Sequence, residues 1–290
     1  MGPMIARCCK VTLSYPGCCE IGLRPIDIHL SALRKLGVTI KESHGFLECT
    51  ADKLVGCKIH LDFPSVGATE NVMMAATAAE GETRIINPAK EPEIVDLQRY
   101  LNACGAEIEG AGTEEILIRG TKSYHQAEHT VIPDRIEGGT ILAAAAITGG
   151  DIVLRNAIPE HMSMTLSKLR EAGCIIREGK DFVELIAPEK LNAVEMLKTQ
   201  PYPGFPTDMQ SQFLTLMTIA KGTSIITETI FESRFKHVEE LMKMGAKIKV
   251  DGRTAVVKGV NRLTGARVVS KDLRGGASLV LAGLAAEGET

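Results

Sequence analysis

A helix that closes on a glycine and turns at once into a short strand occurs four times in this 290-residue chain, and that recurrence constrains the fold more than any other feature. The four segments are Leu33-Arg-Lys-Leu-Gly37-Val-Thr-Ile40, Leu101-Asn-Ala-Cys-Gly105-Ala-Glu-Ile108, Leu169-Arg-Glu-Ala-Gly173-Cys-Ile-Ile176 and Leu241-Met-Lys-Met-Gly245-Ala-Lys-Ile248, with glycines 68, 68 and 72 residues apart. Apolar residues ahead of each glycine have helical spacing, as in Ile94, Leu97, Leu101 and Cys104, and the glycine stands where a left-handed residue would end the helix. Half-buried helices lying on sheets follow from this pattern.

A second helix alternates with the first, from Val66 to Ala79, Gly138 to Ile147, Met209 to Ala220 and Gly276 to Ala286, each ending near a glycine at Gly81, Gly150, Gly222 or Gly288. These segments are apolar almost all round, as in Ile141-Leu-Ala-Ala-Ala-Ala-Ile147, which predicts helices buried inside a domain. After the first three glycines comes a strand-like run (Thr83-Arg-Ile-Ile, Asp151-Ile-Val-Leu, Thr223-Ser-Ile-Ile), but only Glu289 and Thr290 follow Gly288. The start of the chain likewise leaves little room for a helical unit ahead of Cys19, so a fragment truncated at both ends is expected. The architecture expected is α/β, with repeated units of two helices and several short strands and with sheets walling the buried helices. The Ile132-Pro133-Asp134 turn is the expected boundary between two halves, residues 1–132 and 133–290.

Composition excludes several functions. Thirty-three Lys and Arg against 36 Asp and Glu give a formal net charge of -3, without the basic excess of a dedicated nucleic-acid binder. Aromatic residues make up 4% and Trp is absent, which argues against stacking platforms for bases or sugars. The longest apolar run, Ile141 to Ile147, is far short of the roughly 18 residues that cross a bilayer. No secretory signal is legible at the N-terminus, so no membrane partner and a cytoplasmic location are expected. Eight cysteines do not form a secreted disulfide pattern, and the vicinal pairs Cys8-Cys9 and Cys18-Cys19 lack the separated spacing of a zinc site; neither a metal nor a cofactor is called for.

Each buried helix is preceded by a similar tight turn: Asp62-Phe-Pro-Ser-Val-Gly67, Asp134-Arg-Ile-Glu-Gly-Gly139, Phe205-Pro-Thr-Asp208-Met and Asp272-Leu-Arg274-Gly-Gly276. Free N–H groups and the helix dipole at such turns favour an anion, and a cleft between the halves would suit a phosphorylated substrate. The same Ser, Asp and Gly residues are equally what a plain helix cap uses. The loop Pro16-Gly-Cys-Cys-Glu-Ile-Gly-Leu-Arg-Pro-Ile-Asp-Ile-His-Leu30 places thiols near Arg24, which lowers a thiol pKa and can hold an anion.

That loop resembles the signature of the UDP-N-acetylglucosamine 1-carboxyvinyltransferase family, Pro-Gly-Gly-Cys followed by spaced Gly, Arg-Pro and His. Further matches run the length of the chain: Ser65-Val-Gly-Ala-Thr69, Glu91-Pro-Glu-Ile-Val-Asp96, Pro133-Asp-Arg-Ile-Glu137, Phe205-Pro-Thr-Asp-Met-Gln210, Glu232-Ser-Arg-Phe235 and Asp272-Leu-Arg274. The resemblance implies two inside-out α/β barrel-like domains of repeated βαβαββ units, incomplete here. It implies transfer of the enolpyruvyl group of phosphoenolpyruvate to the 3-hydroxyl of UDP-N-acetylglucosamine with release of phosphate, the first committed step of peptidoglycan synthesis. Those two small molecules are the expected partners; oligomeric state is not legible.

By the same resemblance Cys19 is the general acid, able to carry a covalent adduct and alkylated by fosfomycin, and Asp208 is the base on the sugar hydroxyl. Nucleotide-sugar contacts map onto Arg24, Pro25, Ile26, Asp27, Ile28, Ser65, Val66, Gly67, Thr207 and Ile230. Arg24 and Arg274 resemble the arginines that hold the phosphate and carboxylate of phosphoenolpyruvate. Asp134, Arg135 and Arg234 are further cleft residues, each also explicable as surface charge, and His29 either lines the site or is structural. His125 and His129 carry no signal. Three departures stand out: Cys18 replaces a glycine, Gly138-Gly139 is expected to loosen the turn after Glu137 with small effect, and the family's Lys-Asn motif and last arginine-bearing unit have no counterpart. The missing ends motivate one alternative, a noncatalytic UDP-sugar-binding relic. A second, the shikimate-pathway enolpyruvyl transferase, is opposed by the loop cysteine and Arg-Pro-Ile-Asp. Cys19→Ala is expected to abolish turnover and fosfomycin labelling while sparing the fold, and Cys18→Ala to do neither; mass spectrometry showing equal labelling of both single variants contradicts this.

Overall fold

The four repeated glycines have φ angles of 98° (Gly37), 100° (Gly105), 98° (Gly173) and 91° (Gly245) in a computed structural model that describes residues 1–15 and 26–290. After each one the next N–H reaches back to a leucine carbonyl in the last turn of the helix: Val38 to Leu33 at 3.1 Å, Ala106 to Leu101 at 3.0 Å, Cys174 to Leu169 at 3.0 Å and Ala246 to Leu241 at 3.1 Å. This is the bonding of a Schellman stop, which satisfies orphan carbonyls and swings the chain sharply into the next strand. One local device, used four times, sets every helix-to-strand transition of this type.

The described residues divide into two compact units between Ile132 and Pro133. The first runs α1 (Gly2–Cys8), β1 (Lys10–Ser14), α2 (Asp27–Lys35), β2 (Thr39–Ser43), β3 (Phe46–Thr50), β4 (Lys58–His60), α3 (Val66–Ala76), β5 (Glu82–Ile86), α4 (Pro92–Ala103), β6 (Glu107–Glu109) and β7 (Glu115–Arg119). The second runs α5 (Arg135–Thr148), β8 (Asp151–Arg155), α6 (Ser163–Glu171), β9 (Ile175–Glu178), β10 (Phe182–Ile186), β11 (Met196–Lys198), α7 (Gln210–Ile219), β12 (Thr223–Thr227), α8 (Val238–Lys243), β13 (Lys247–Asp251), β14 (Thr254–Lys258), β15 (Leu263–Thr264), α9 (Leu273–Ala285) and β16 (Ala286–Glu287). Short 3-10 turns at Pro159–Met162 and Thr207–Met209 precede α6 and α7.

The sheets repeat as the helices do. Order β4-β5-β7-β6 in the first unit matches β11-β12-β14-β13 in the second. In each, the first two strands are parallel, with Ile59 opposite Ile85 and Leu197 opposite Ile226, and the remaining pairs are antiparallel. A parallel pair needs a crossover, and α3 and α7 supply it, each on the inner face of its sheet. Three-stranded sheets β1-β3-β2 and β8-β10-β9 show the same order without the first strand. No sheet among the described residues closes on itself; the sheets wall buried helices instead. Val72, Met73, Ala75 and Ala76 of α3 are fully buried, as is every residue of α7 from Gln210 to Thr218. No helix among the described residues is long and apolar enough to cross a membrane.

Three local expectations need correction. A helix does precede β1: α1 buries Ile5, and its Gly2 N–H donates to Asn71 Oδ1 of α3 at 2.8 Å. Seven residues hold too few turns for a helical period to be visible. The residue ending α5 in the left-handed conformation is Gly149 (φ 71°), one position before Gly150. Gly138 and Gly139 loosen no turn, because both lie inside α5 and are buried. A Cβ on Gly138 would stand 3.0 Å from Leu154 Cδ2, and one on Gly139 would stand 3.0 Å from Met209 Sδ, so the pair allows close approach of neighbouring segments. Gly139→Val is expected to overpack this contact and cost about 1–3 kcal/mol, read as a lowered urea midpoint; an unchanged midpoint would show that Met209 yields freely.

Candidate active site

Four turns lead into α3, α5, α7 and α9, and three of them use their polar side chain as a cap; α9 is not buried all round as its sequence predicts, since it buries one face through Leu279, Leu281 and Ala282 and leaves Leu273, Val280 and Leu284 exposed. Ser65 Oγ accepts from Ala68 N at 3.3 Å; Asp134 Oδ1 accepts from Ile136 N at 2.8 Å and Glu137 N at 3.0 Å; Asp272 Oδ1 accepts from Gly275 N at 2.9 Å. Asp208 makes no such bond. It sits within the 3-10 turn Thr207–Met209, where Met209 N donates to the Pro206 carbonyl at 3.0 Å, and its carboxylate turns instead to two arginines. Arg234 Nη2 donates to Oδ1 at 2.7 Å, and Arg274 Nη2 donates to Oδ2 at 2.9 Å.

The two arginines are held differently. Arg234 is 3% exposed, and its guanidinium lies over the Phe231 ring at 5.3 Å, so it is a fixed buried charge. Arg274, in the first turn of α9 beside the capping Asp272, keeps 27% of its side chain exposed and is free to meet an anion from solvent. Burial alone would raise the Asp208 pKa. The field of Arg274, then that of Arg234, and the hydrogen bonds from both outweigh it and hold the carboxyl below its ordinary value.

The start of α9 is seated on His237. A Cβ on Gly275 would come within 3.1 Å of His237 Cβ, so glycine there lets the turn bearing Arg274 approach the segment bearing Arg234. Burial pushes His237 down to about 4, outweighing Asp272 and the Arg234 backbone, which act the other way. It is a neutral packing element that sequence reasoning missed. Thr207 and Ile230 are joined through Glu228, to which the Thr207 hydroxyl and the Ile230 N–H both donate. Asp134 is spent as the cap of α5, and Arg135 lies over the Tyr202 ring at 5.4 Å.

In the first unit, residues 26–29 at the start of α2 and 65–67 at the start of α3 are brought together. A Cβ on Gly67 would stand 3.0 Å from His29 Cε1, so glycine lets the imidazole lie closely against α3, and a larger residue would push it away by a few tenths of an ångström. Asn71 orients the ring. Its Oδ1 is taken by the Gly2 N–H, which leaves Nδ2 to donate to the Gly67 carbonyl at 3.0 Å and to His29 Nδ1 at 3.1 Å. Nδ1 is therefore the acceptor and Nε2 carries the proton, an assignment inferred from this network. Burial lowers the His29 pKa, in keeping with the neutral ring. Ile26, Asp27 and Ile28 line a cavity of about 650 Å³ together with Arg34, His60 and Asp62. Cys18, Cys19, Arg24 and Pro25 lie outside the described residues.

Comparison with known proteins shows the family. The sequence model of EPSP synthase (3-phosphoshikimate 1-carboxyvinyltransferase) matches residues 1–290. A UDP-N-acetylglucosamine 1-carboxyvinyltransferase of Caldanaerobacter subterraneus is 56% identical over 290 residues, all of this chain and 70% of its own length. Another, from Symbiobacterium thermophilum, is 57% identical over 291 residues, 66% of its length. The chain belongs to this carboxyvinyltransferase family. Among solved structures, the enolpyruvyl transferase NikO from Streptomyces tendae superposes with a TM-score of 0.84 at 25% identity, covering 98% of this chain and 68% of that one. The EPSP synthase of Acinetobacter baumannii shares the fold with a TM-score of 0.69 at 20% identity, covering 96% and 68%.

Within a carboxyvinyltransferase, an ionised carboxylate between a fixed and a movable cation is suited to accept a proton and to release it again. Asp208→Asn leaves buried Arg234 without its anion and is expected to cost about 1–2 kcal/mol near neutral pH. The folded-state pKa lies below the unfolded value of about 3.9, so this stability is present above that value and is lost as pH falls through the folded one. Urea unfolding at a series of pH values should therefore show the gap between wild type and variant closing on acidification; a gap that persists at the lowest pH contradicts the ion triad.

Proposed function

We propose that this chain transfers the enolpyruvyl group from phosphoenolpyruvate to the 3-hydroxyl of UDP-N-acetylglucosamine and releases phosphate. The reaction adds an alcohol across a carbon–carbon double bond and then expels phosphate to restore it. The alcohol must lose a proton while the terminal enolpyruvyl carbon gains one, so one base and one acid are needed. Asp208 is the proposed base. The observation that carries this is its release from the capping role filled by Ser65, Asp134 and Asp272 at the equivalent turns.

Cys19 is the proposed acid and Arg24 the proposed anion holder beside it, both on the resemblance of their loop. Arg274 is the second proposed anion holder. When it turns toward a substrate phosphate or carboxylate, the cation that most depresses Asp208 is withdrawn, and the carboxylate gains basicity as the acceptor hydroxyl is positioned. Arg234 stays in place and keeps the carboxylate oriented. Ile26, Asp27 and Ile28 with Ser65, Val66 and Gly67 are the proposed nucleotide-sugar contacts of the first unit, with His29 offering its Nε2–H, and Thr207 and Ile230 those of the second. This reading carries with it the place at the entrance to peptidoglycan synthesis, a cytoplasmic location and alkylation of Cys19 by fosfomycin. Identity of 53–57% to proteins named for the UDP-sugar, against 20% to the EPSP synthase structure, supports that acceptor over a shikimate one.

The test is phosphate release from phosphoenolpyruvate by the purified chain, with and without UDP-N-acetylglucosamine. Sugar-dependent release is expected, abolished by Cys19→Ala and slowed by about 10²–10⁴-fold in Asp208→Asn with little change in KM. Absence of sugar-dependent release from folded chain, or its appearance only with shikimate 3-phosphate, overturns the proposal.

A further inference from the structure

We infer that Glu228 is a positioning residue that holds the Asp208 turn and the Ile230 loop in register, an inference that rests on the transferase reading above. Glu228 follows β12 and is 0% exposed. A buried carboxylate is costly unless its lone pairs are filled by donors, and here four donors fill them. Oε1 accepts from Ile230 N at 2.7 Å, Phe231 N at 3.1 Å and Thr199 Oγ1 at 2.8 Å; Oε2 accepts from Thr207 Oγ1 at 2.9 Å.

Two of these bonds stay within the loop, and a shorter polar residue could make them. The other two reach threonines 29 and 21 residues away, at the end of β11 and in the 3-10 turn beside Asp208. Thr199 is committed by its other bonds: its hydroxyl accepts from Thr229 N at 2.9 Å and its carbonyl accepts from Thr229 Oγ1 at 2.5 Å, so its proton points to Glu228. The contacts also close a ring. Glu228 holds Thr207, the neighbour of Asp208; Asp208 holds Arg234; Arg234 stacks on Phe231; and the Phe231 N–H returns to Glu228. The Asp208 turn is thus joined to the Ile230 loop by two routes, the hydrogen bonds through Glu228 and the contact of Arg234 with Phe231.

The ring predicts which substitutions the site tolerates. In Glu228→Gln the amide oxygen can keep its three donors, two of them backbone N–H groups that cannot reverse, while the amide NH₂ faces Thr207, whose hydroxyl can turn to accept. Glu228→Ala leaves all four donors without a partner. Thr207→Val cuts only the link to the Asp208 turn.

The experiment measures hydrogen exchange in peptides spanning 203–212 and 227–236 of the full chain without substrate, together with kcat and KM for UDP-N-acetylglucosamine. Glu228→Ala is expected to speed exchange in both peptides while β13 and β14 keep their protection, and to lower kcat by about 10²-fold, the scale of a 1 Å misplacement. Glu228→Gln should rescue both exchange and kcat to near wild type, and Thr207→Val should speed exchange in 203–212 alone. Should Glu228→Ala fail to fold, the other two variants still decide. Wild-type exchange in 203–212 of Thr207→Val, or no rescue by Glu228→Gln, overturns the inference. A wild-type chain without sugar-dependent turnover overturns the transferase reading and leaves the exchange test of the ring standing.

Discussion

A helix packed into a domain leaves free N–H groups in its first turn that its own turns cannot satisfy, so the segment that leads into it must supply the acceptors. This constraint organises the whole chain. At α3, α5 and α9 a serine or aspartate side chain meets it. At α7, the most completely buried of them, a 3-10 turn precedes the helix, and the carboxylate available for capping is released to other partners. The carboxylate of Asp208, the proposed base, is therefore left free of capping and set on a buried element, where it pairs with two arginines instead.

Electrostatics then decide what the released carboxylate can do. Burial alone would push its pKa up. Two guanidiniums hold its pKa down, one lying over the Phe231 ring and one reaching it from the first turn of α9. The second is partly exposed, so in the proposed reaction a substrate anion would compete with Asp208 for it. Glycine at 275, His237 beneath it and the carboxylate of Glu228 are the supports that make this geometry reproducible. None of the three was singled out by inspection of the sequence.

The repeat also explains why one fold serves both units. The order of strands and the mixture of parallel and antiparallel pairs are the same in the sheets β4-β5-β7-β6 and β11-β12-β14-β13, yet the starts of their buried helices have diverged. In the first unit, glycine at 67 and the Asn71 bridge give a neutral imidazole with one outward donor; in the second, an aspartate and two arginines give a charged cluster. Equivalent positions in a repeated scaffold thus carry different polar groups, a neutral imidazole in one unit and a charged cluster in the other.

Local physics was readable in the chain. Helix stops at Gly37, Gly105, Gly173 and Gly245 depend on residues within one turn of each other, and the apolar character of α3, α5 and α7 is a property of their own composition, so fold class and repeat were legible. The short α1 was not, since seven residues carry no period. The motifs around Ser65, Asp134, Asp208 and Asp272 look alike as sequence, and nothing local distinguishes a cap from a base. Asp208 finds its partners 26 and 66 residues away, and Glu228 finds two of its donors 21 and 29 residues away. The sequence by itself determined where helices stop, because that is an energy of near neighbours; only the tertiary structure decided which carboxylate caps a helix, which pairs with two arginines and which gathers threonine and loop N–H donors, because hydrogen-bond partners at that range exist only once the sheets have folded around the helices.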